Sequence, residues 1–158
     1  MTNRDDTLQV FIEACREVLQ SMAGADFSVK ETEPARSVEL RGEVASSIGL
    51  SGAGEGMLVV VASEALVRQL VGAMLETSPR EIAYDDALDG FGEIVNMIAG
   101  TAKRAFADTP NAFRIGLPTV IGGATGTIRP GLTRVGAGTL VRGTAADAGF
   151  RFAVWLAQ

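Results

Sequence analysis

The sequence predicts an α+β domain, with helices packed against an antiparallel or mixed sheet. Three observations lead to that expectation. Residues 7–22, 63–75 and 85–106 repeat their apolar side chains at helical spacing. Residues 38–61 hold two β-prone apolar runs around a glycine-rich turn. Beyond Pro110 the chain becomes β-like and rich in Gly. At 158 residues one core is feasible, burying roughly 68–70% of the surface an unfolded chain exposes. A single domain over residues 1–158 is expected.

In residues 7–22, Leu8, Phe11, Ile12, Cys15, Val18, Leu19 and Met22 share one helical face, and Glu13, Arg16, Glu17 and Gln20 fill the other. Thr7 is placed to cap the start and Gly24 to end it. Cys15 lies on the apolar face with no base nearby to activate it, so it reads as a small buried hydrophobe. Residues 26–37 are polar, contain Pro34 and lack a period, which suggests a connecting segment.

Val38, Leu40, Val44, Ile48 and Leu50 give residues 38–50 strand character, residues 51–56 form a turn, and residues 57–61 are continuously β-prone, so the whole is a β-hairpin. Gly52, Gly54 and Gly56 imitate part of a phosphate-binding loop. The match is poor, because no GK[ST] signature follows and the next element is a strand. Residues 63–75 return to helical spacing through Leu66, Val67, Leu70, Val71, Met74 and Leu75, with Ser63 as N-cap. After the helix at residues 85–106, strands are expected at 113–121, 138–142 and 149–156, with 122–136 as a polar connection. Phe150, Phe152 and Trp155 in the last strand are assigned to core or interface.

Composition narrows the chemistry. The chain has 14 Lys and Arg, 19 Asp and Glu, a net charge of −5, no His and one Cys. Without His there is no Ser-His-Asp or Cys-His unit, no HExxH zinc site and no Cys/His zinc finger. One Cys cannot make an internal disulfide. The acidic balance argues against nucleic acid, which needs a basic face. The longest apolar runs fall far short of the roughly 20 residues needed to cross a bilayer. Residues 1–6 lack the order of a signal peptide, so a cytoplasmic location with no membrane contact is expected.

The informative stretch is the helix at residues 85–106. Leu88, Phe91, Ile94, Val95, Ile98, Ala102, Ala105 and Phe106 are expected on its buried face. Asp89, Glu93, Asn96 and Gly100 follow at spacings of 4, 3 and 4, forming a stripe within about 40° of one line, nearly opposite that face. A solvated helix face is the plain alternative. Against it, Asn is a poor helix-interior residue and Gly costs about 1 kcal/mol relative to Ala. Gly100 leaves room for a partner surface to approach.

The pattern Asp89-xxx-Glu93-xx-Asn96-Met97-Ile98-x-Gly100, followed by Gly116-Leu117-Pro118-Thr119-Val120-Ile121-Gly122-Gly123, resembles the active-site signature of the CheC/CheX/FliY family of chemotaxis phosphatases. Asn96 and Pro118 are separated by one residue fewer than in the family pattern. CheC-like and FliY-like members carry a second such helix. Here the helix at residues 63–75 has Val67 and Leu70 at the Glu and Asn positions, so the resemblance is closest to CheX-like members with one site. It implies a CheC/CheX-like two-layer domain and a homodimer built through the β-sheet.

The resemblance also implies a substrate: the phospho-aspartate of a CheY-like response-regulator receiver domain. No cofactor is expected on this chain, and a Mg²⁺ is expected on the receiver. Asn96 would orient the attacking water, Glu93 would pair with the receiver's Lys, and Asp89 would assist at the edge of the contact. From its place in the stripe, Gly100 is expected to take part in substrate binding by allowing close approach. Pro118 is assigned a structural role. A non-catalytic receiver- or partner-binding module of the same fold is the competing expectation. A small-molecule enzyme has little support, since there is no cofactor motif and no nucleophile with a base.

Overall fold

The computed structural model describes residues 4–52, 54–131 and 138–156. Helix α1 (Arg4–Ala23) leads into strands β1 (Phe27–Ala35), β2 (Val38–Gly52) and β3 (Glu55–Ala62). Helix α2 (Glu64–Leu75), a 3-10 turn (Pro79–Glu81) and helix α3 (Tyr84–Phe106) follow. Strands β4 (Phe113–Ile115), β5 (Thr119–Ile128), β6 (Gly138–Ala145) and β7 (Ala148–Leu156) complete the sheet.

All strand pairs are antiparallel, in the order β1-β6-β7-β3-β2, and the outer edge of β2 is shared by β4 and β5. The helices cover one face. Their apolar stripes meet the sheet in the main core, where Phe11 lies 6.1 Å from Phe113 and 6.4 Å from Phe106, centroid to centroid. Rings at these separations add specific contact to simple burial. The expected two-layer α+β arrangement is therefore present.

The other face holds a smaller cluster built from Val38, Leu40, Ala45, Val59, Val61, Leu140, Ala153 and Trp155. It exists because the sheet curls. Strands β1 and β2 sit far apart in the strand order, yet only Arg36 and Ser37 join them. Trp155 is fully buried, as its bulk led us to expect, and its Nε1 donates to the Ala35 carbonyl at 3.0 Å across the closure.

Several local expectations hold. The Ser63 hydroxyl caps α2, accepting from the Leu66 N–H at 3.1 Å. Gly24 follows α1 with φ +60°, and its N–H donates to the Gln20 carbonyl at 3.0 Å. Cys15 is fully buried, and burial pushes its thiol well above the ordinary range. The expected β-hairpin is present, but its turn is tighter than residues 51–56, because the ladder runs out to the Ser51–Glu55 pair, and Ala53 lies outside the described residues.

Others are corrected. Helix α1 begins at Arg4, so Thr7 is a buried residue inside it rather than its cap. Residues 26–37 are not a connection, since they contain β1, paired with β6 along its length. This is an edge strand whose exposed Lys30 and Glu31 and half-buried Glu33, together with Pro34 and a register shift after Val29, erase the alternation that marks a strand. The expected strand at 113–121 is two strands interrupted at residues 116–118. The expected connection at 122–136 is mostly strand as far as Ile128, and residues 132–136 lie outside the described residues. Gly42 in β2 (φ +77°) and Gly123 in β5 (φ +68°) sit where the β2–β5 register shifts, so a glycine that suggests a loop in fact forms a bulge.

A charged ladder crosses the outer face. Arg142 and Arg151 are direct cross-strand partners, which would repel if left alone. Glu33 pairs with Arg142 at 3.1 Å, and Glu43 takes both Arg151 nitrogens, one of them at 3.0 Å. The Arg151–Glu43 side chains are only 19% and 22% exposed, and the Arg151 hydrogen bond holds the Glu43 carboxyl below its ordinary range. A depressed folded-state pKa contributes stability above the ordinary carboxylate value, and that contribution is lost as pH falls through the folded one. Glu43→Gln should therefore cost about 1–3 kcal/mol at pH 7. In denaturant titrations the gap from the wild type should narrow steadily toward strongly acidic pH, whereas a gap independent of pH would contradict this assignment.

Candidate functional site

Helix α3 is the element on which the candidate residues lie. Asp85 and Asp86 occupy its first turn and Lys103 and Arg104 its last, each favourable to the helix dipole. Its buried side is Ala87, Phe91, Gly92, Ile94, Val95, Ile98, Ala99, Ala102 and Phe106. Leu88 is half-buried and packs against the core, as expected of that face. One expected member is corrected: Ala105 is exposed, because the helix is covered by α1 and α2 on its flanks rather than wrapped fully.

The two glycines near the start of the stripe are explained by close packing. A Cβ at Gly90 would lie 2.6 Å from Cγ1 of Val71 in α2, and one at Gly92 would lie 3.0 Å from Cγ2 of Val120 in β5. Pro118 stands beside the same glycine, with its Cγ 3.7 Å from the Cβ position. Pro118 thus abuts the helix one residue before Glu93, which agrees with a structural role.

The structure places Asp89, Glu93, Asn96 and Gly100 on one outward strip of α3, the first two exposed and the last two half-buried. Among the described residues, the side chains of Asp89, Glu93 and Asn96 have no hydrogen bond or ion pair within the chain. Gly100 differs from Gly90 and Gly92, because a Cβ there meets nothing within 4 Å. No packing in the fold requires glycine at that position. The strip therefore presents a carboxylate, a second carboxylate, a free amide and a bare stretch of backbone to solvent. In α2, by contrast, Val67 and Leu70 are core residues, so that helix offers no second copy of the strip.

One feature of the site escaped sequence reasoning. Leu117, in the break between β4 and β5, is 90% exposed. Its signal was its place between Gly116 and Pro118, where a strand ladder lapses. Among the described residues, no group of three or more His, Cys, Asp and Glu side chains converges to hold a metal, and no helix is long and apolar enough to cross a membrane.

The profile of a family described as chemotaxis phosphatase CheX matches residues 44–136, more than half the chain and inclusive of the whole strip and Pro118. No curated protein sequence matches. Solved structures are similar over nearly the full length. A CheC-like superfamily protein from Shewanella sp. PV-4 is 23% identical with a TM-score of 0.84, covering 97% of this chain and 98% of that one. The chemotaxis protein CheX from Vibrio vulnificus is 24% identical with a TM-score of 0.83, covering 96% and 99%. The CheX–CheY–BeF3–Mg²⁺ complex from Borrelia burgdorferi contains a similar chain at 17% identity and a TM-score of 0.68, covering 96% and 97%. At these identities the likeness is one of fold.

The two kinds of glycine give opposite expectations for stability. Gly100→Ala adds a methyl in open space to a helix interior and should stabilise by about 1 kcal/mol, raising Tm by about 2–4 °C. Gly90→Ala must displace the buried Val71 and should destabilise by about 1–3 kcal/mol despite its better helix propensity. Thermal melts of the two variants check this, and a loss of stability in Gly100→Ala would show that the bare strip is required by the fold.

Proposed function

The chain belongs to the family of the chemotaxis phosphatase CheX, and from that premise we propose that it hydrolyses the phospho-aspartate of a CheY-like receiver domain. One observation supports this most. On α3 the amide of Asn96 and the carboxylate of Glu93 stand free on one strip, beside a glycine that the fold itself has no use for.

Hydrolysis of an acyl phosphate needs water in line with the leaving carboxylate and neutralisation of spread negative charge, with little covalent chemistry from the protein. The receiver would bring its own Mg²⁺, lysine and carboxylates, which supply the neutralisation. What this chain adds is a positioned water. The carbonyl of Asn96 accepts a hydrogen bond from that water and its NH₂ donates to a neighbouring oxygen, with no charge to repel the phosphoryl group. Glu93, one turn earlier, pairs with the receiver's lysine and sets the register. Asp89 assists at the edge of the contact. Gly100 lets the receiver's loops reach the helix backbone, an approach that a side chain there would block.

The same reading includes a homodimer through the sheet, and the two sheet edges differ in a way that favours β5 as its seam. The edge strand β1 carries Lys30, Glu31, Glu33 and Pro34, the usual guards against strand pairing. The edge strand β5 is ten residues long and has no charge and no proline. An unguarded edge of this length is suited to pairing with a second copy.

Two experiments test these proposals. With a phosphorylated CheY-like receiver, Asn96→Ala should lower the maximal accelerated decay by at least about 100-fold while leaving binding nearly intact. Glu93→Ala should weaken binding as well as decay. If Asn96→Ala decays the receiver as fast as the wild type while Glu93→Ala loses binding, the chain is a receiver-binding module and not a phosphatase. For the dimer, light scattering should give a dimeric mass for the wild type and a monomeric one for a folded Ile121→Lys, Thr127→Lys double variant. A monomeric wild type contradicts the β5 seam.

A further inference from the structure

Leu117 is the most exposed of the large apolar side chains among the described residues, at 90% against 52% for Leu75. It is not on a free loop. On one side the Gly116 N–H donates to the Gly49 carbonyl of β2 at 3.0 Å. On the other side the Pro118 ring abuts α3 at Gly92 and its φ is fixed by the ring. A large apolar group is therefore held in water between two anchored neighbours. A lone exposed Leu is ordinary on a protein surface, so what singles this one out is its place beside the strip.

Its level along α3 follows from the packing on either side. Strand β5 runs back along the helix, with Gly122 beside Tyr84 and Leu88, then Val120 and Pro118 beside Gly92. Further back, Phe113 packs on Phe106, 5.7 Å between centroids. The residues between Phe113 and Pro118 thus pass along the helix between Phe106 and Gly92. Leu117 is the first residue of that passage back from Pro118, so it lies at the Gly92 end of it, and Asn96 is the strip residue one turn beyond Gly92 in the same direction. On the helix, Asn96 is turned only about 40° from Gly92, toward this same flank.

We infer that Leu117 is an apolar anchor for the receiver, docking on an apolar patch beside the phosphorylation site while Glu93 and Asn96 reach into it. The inference rests on the proposed function for its partner. Continuity with the strip points to the receiver as occupant. A second copy paired along β5 is disfavoured at this point, because Pro118 has no N–H and a strand ladder cannot run through it. The anchored backbone on either side also suits the role, since little loop freedom is lost on docking.

The test uses CheY-like receivers loaded with BeF3⁻ and Mg²⁺ for binding, and the phosphorylated forms for decay. Leu117→Ser should raise Kd and the half-saturating concentration about 10-fold, equivalent to about 1.4 kcal/mol. The decay rate at saturation should stay within about twofold of the wild type, and Leu117→Met should restore binding. Mass and circular dichroism should not change. An unchanged Kd, a lowered saturating rate at unchanged Kd, or dissociation of a dimer would each overturn the inference. Its failure is distinguishable from that of the phosphatase reading. A wild type that binds receivers in a Leu117-dependent way but leaves their decay unchanged overturns only the phosphatase. A wild type that binds none of them overturns both.

Discussion

The close seating of α3 on its neighbours is the constraint from which the rest of the site follows. Gly90 lets the helix approach Val71 of α2, and Gly92 lets it approach Val120 and Pro118 at the start of β5. With Phe91, Ile94, Val95 and Ile98 fully buried beneath it, the helix cannot rotate without exposing core. Each such side chain is worth about 1.5–3 kcal/mol in burial, so rotation by even a fraction of a turn is prohibitive. The outward strip is thereby fixed in direction, and Asp89, Glu93, Asn96 and Gly100 are presented together without any side-chain hydrogen bond among the described residues to hold them.

This explains how a chain without His, and with one buried Cys, fits a hydrolytic role. Self-contained hydrolases build a nucleophile and base in a pocket, where burial and neighbours tune their pKa values. The strip on α3 is a convex surface rather than a pocket, and its groups are an amide and carboxylates. Such a surface has chemistry only when a partner supplies the reacting centre. Gly100 and Leu117 fit the same division of labour, one removing bulk from the surface and the other adding an apolar projection to it.

The parts of this arrangement differ in how far they could be read from the residues. The three helices were legible because each has one buried face, so burial imposes a period of 3.6 on the sequence. The strip on α3 was legible for the same reason, since its members share a line on a helix whose opposite face is plainly apolar. Strand β1 was not, because an edge strand buries little and protects itself with charge and Pro34. Nor was the far half of β5, where Gly123 and Gly126 at positive φ belong to a bulged edge and not to a loop. The reach of the helix face was also overstated at Ala105, since Ala is compatible with either side. Leu117 was missed because a single Leu has no period, and its exposure depends on where the β4–β5 break falls.

The most direct test of the account is single-turnover decay of a phosphorylated CheY-like receiver across a rising excess of the wild-type protein. The rate constant should climb with protein concentration and level off at a plateau well above spontaneous decay. Saturable binding with a decay rate that never leaves the spontaneous value would contradict it.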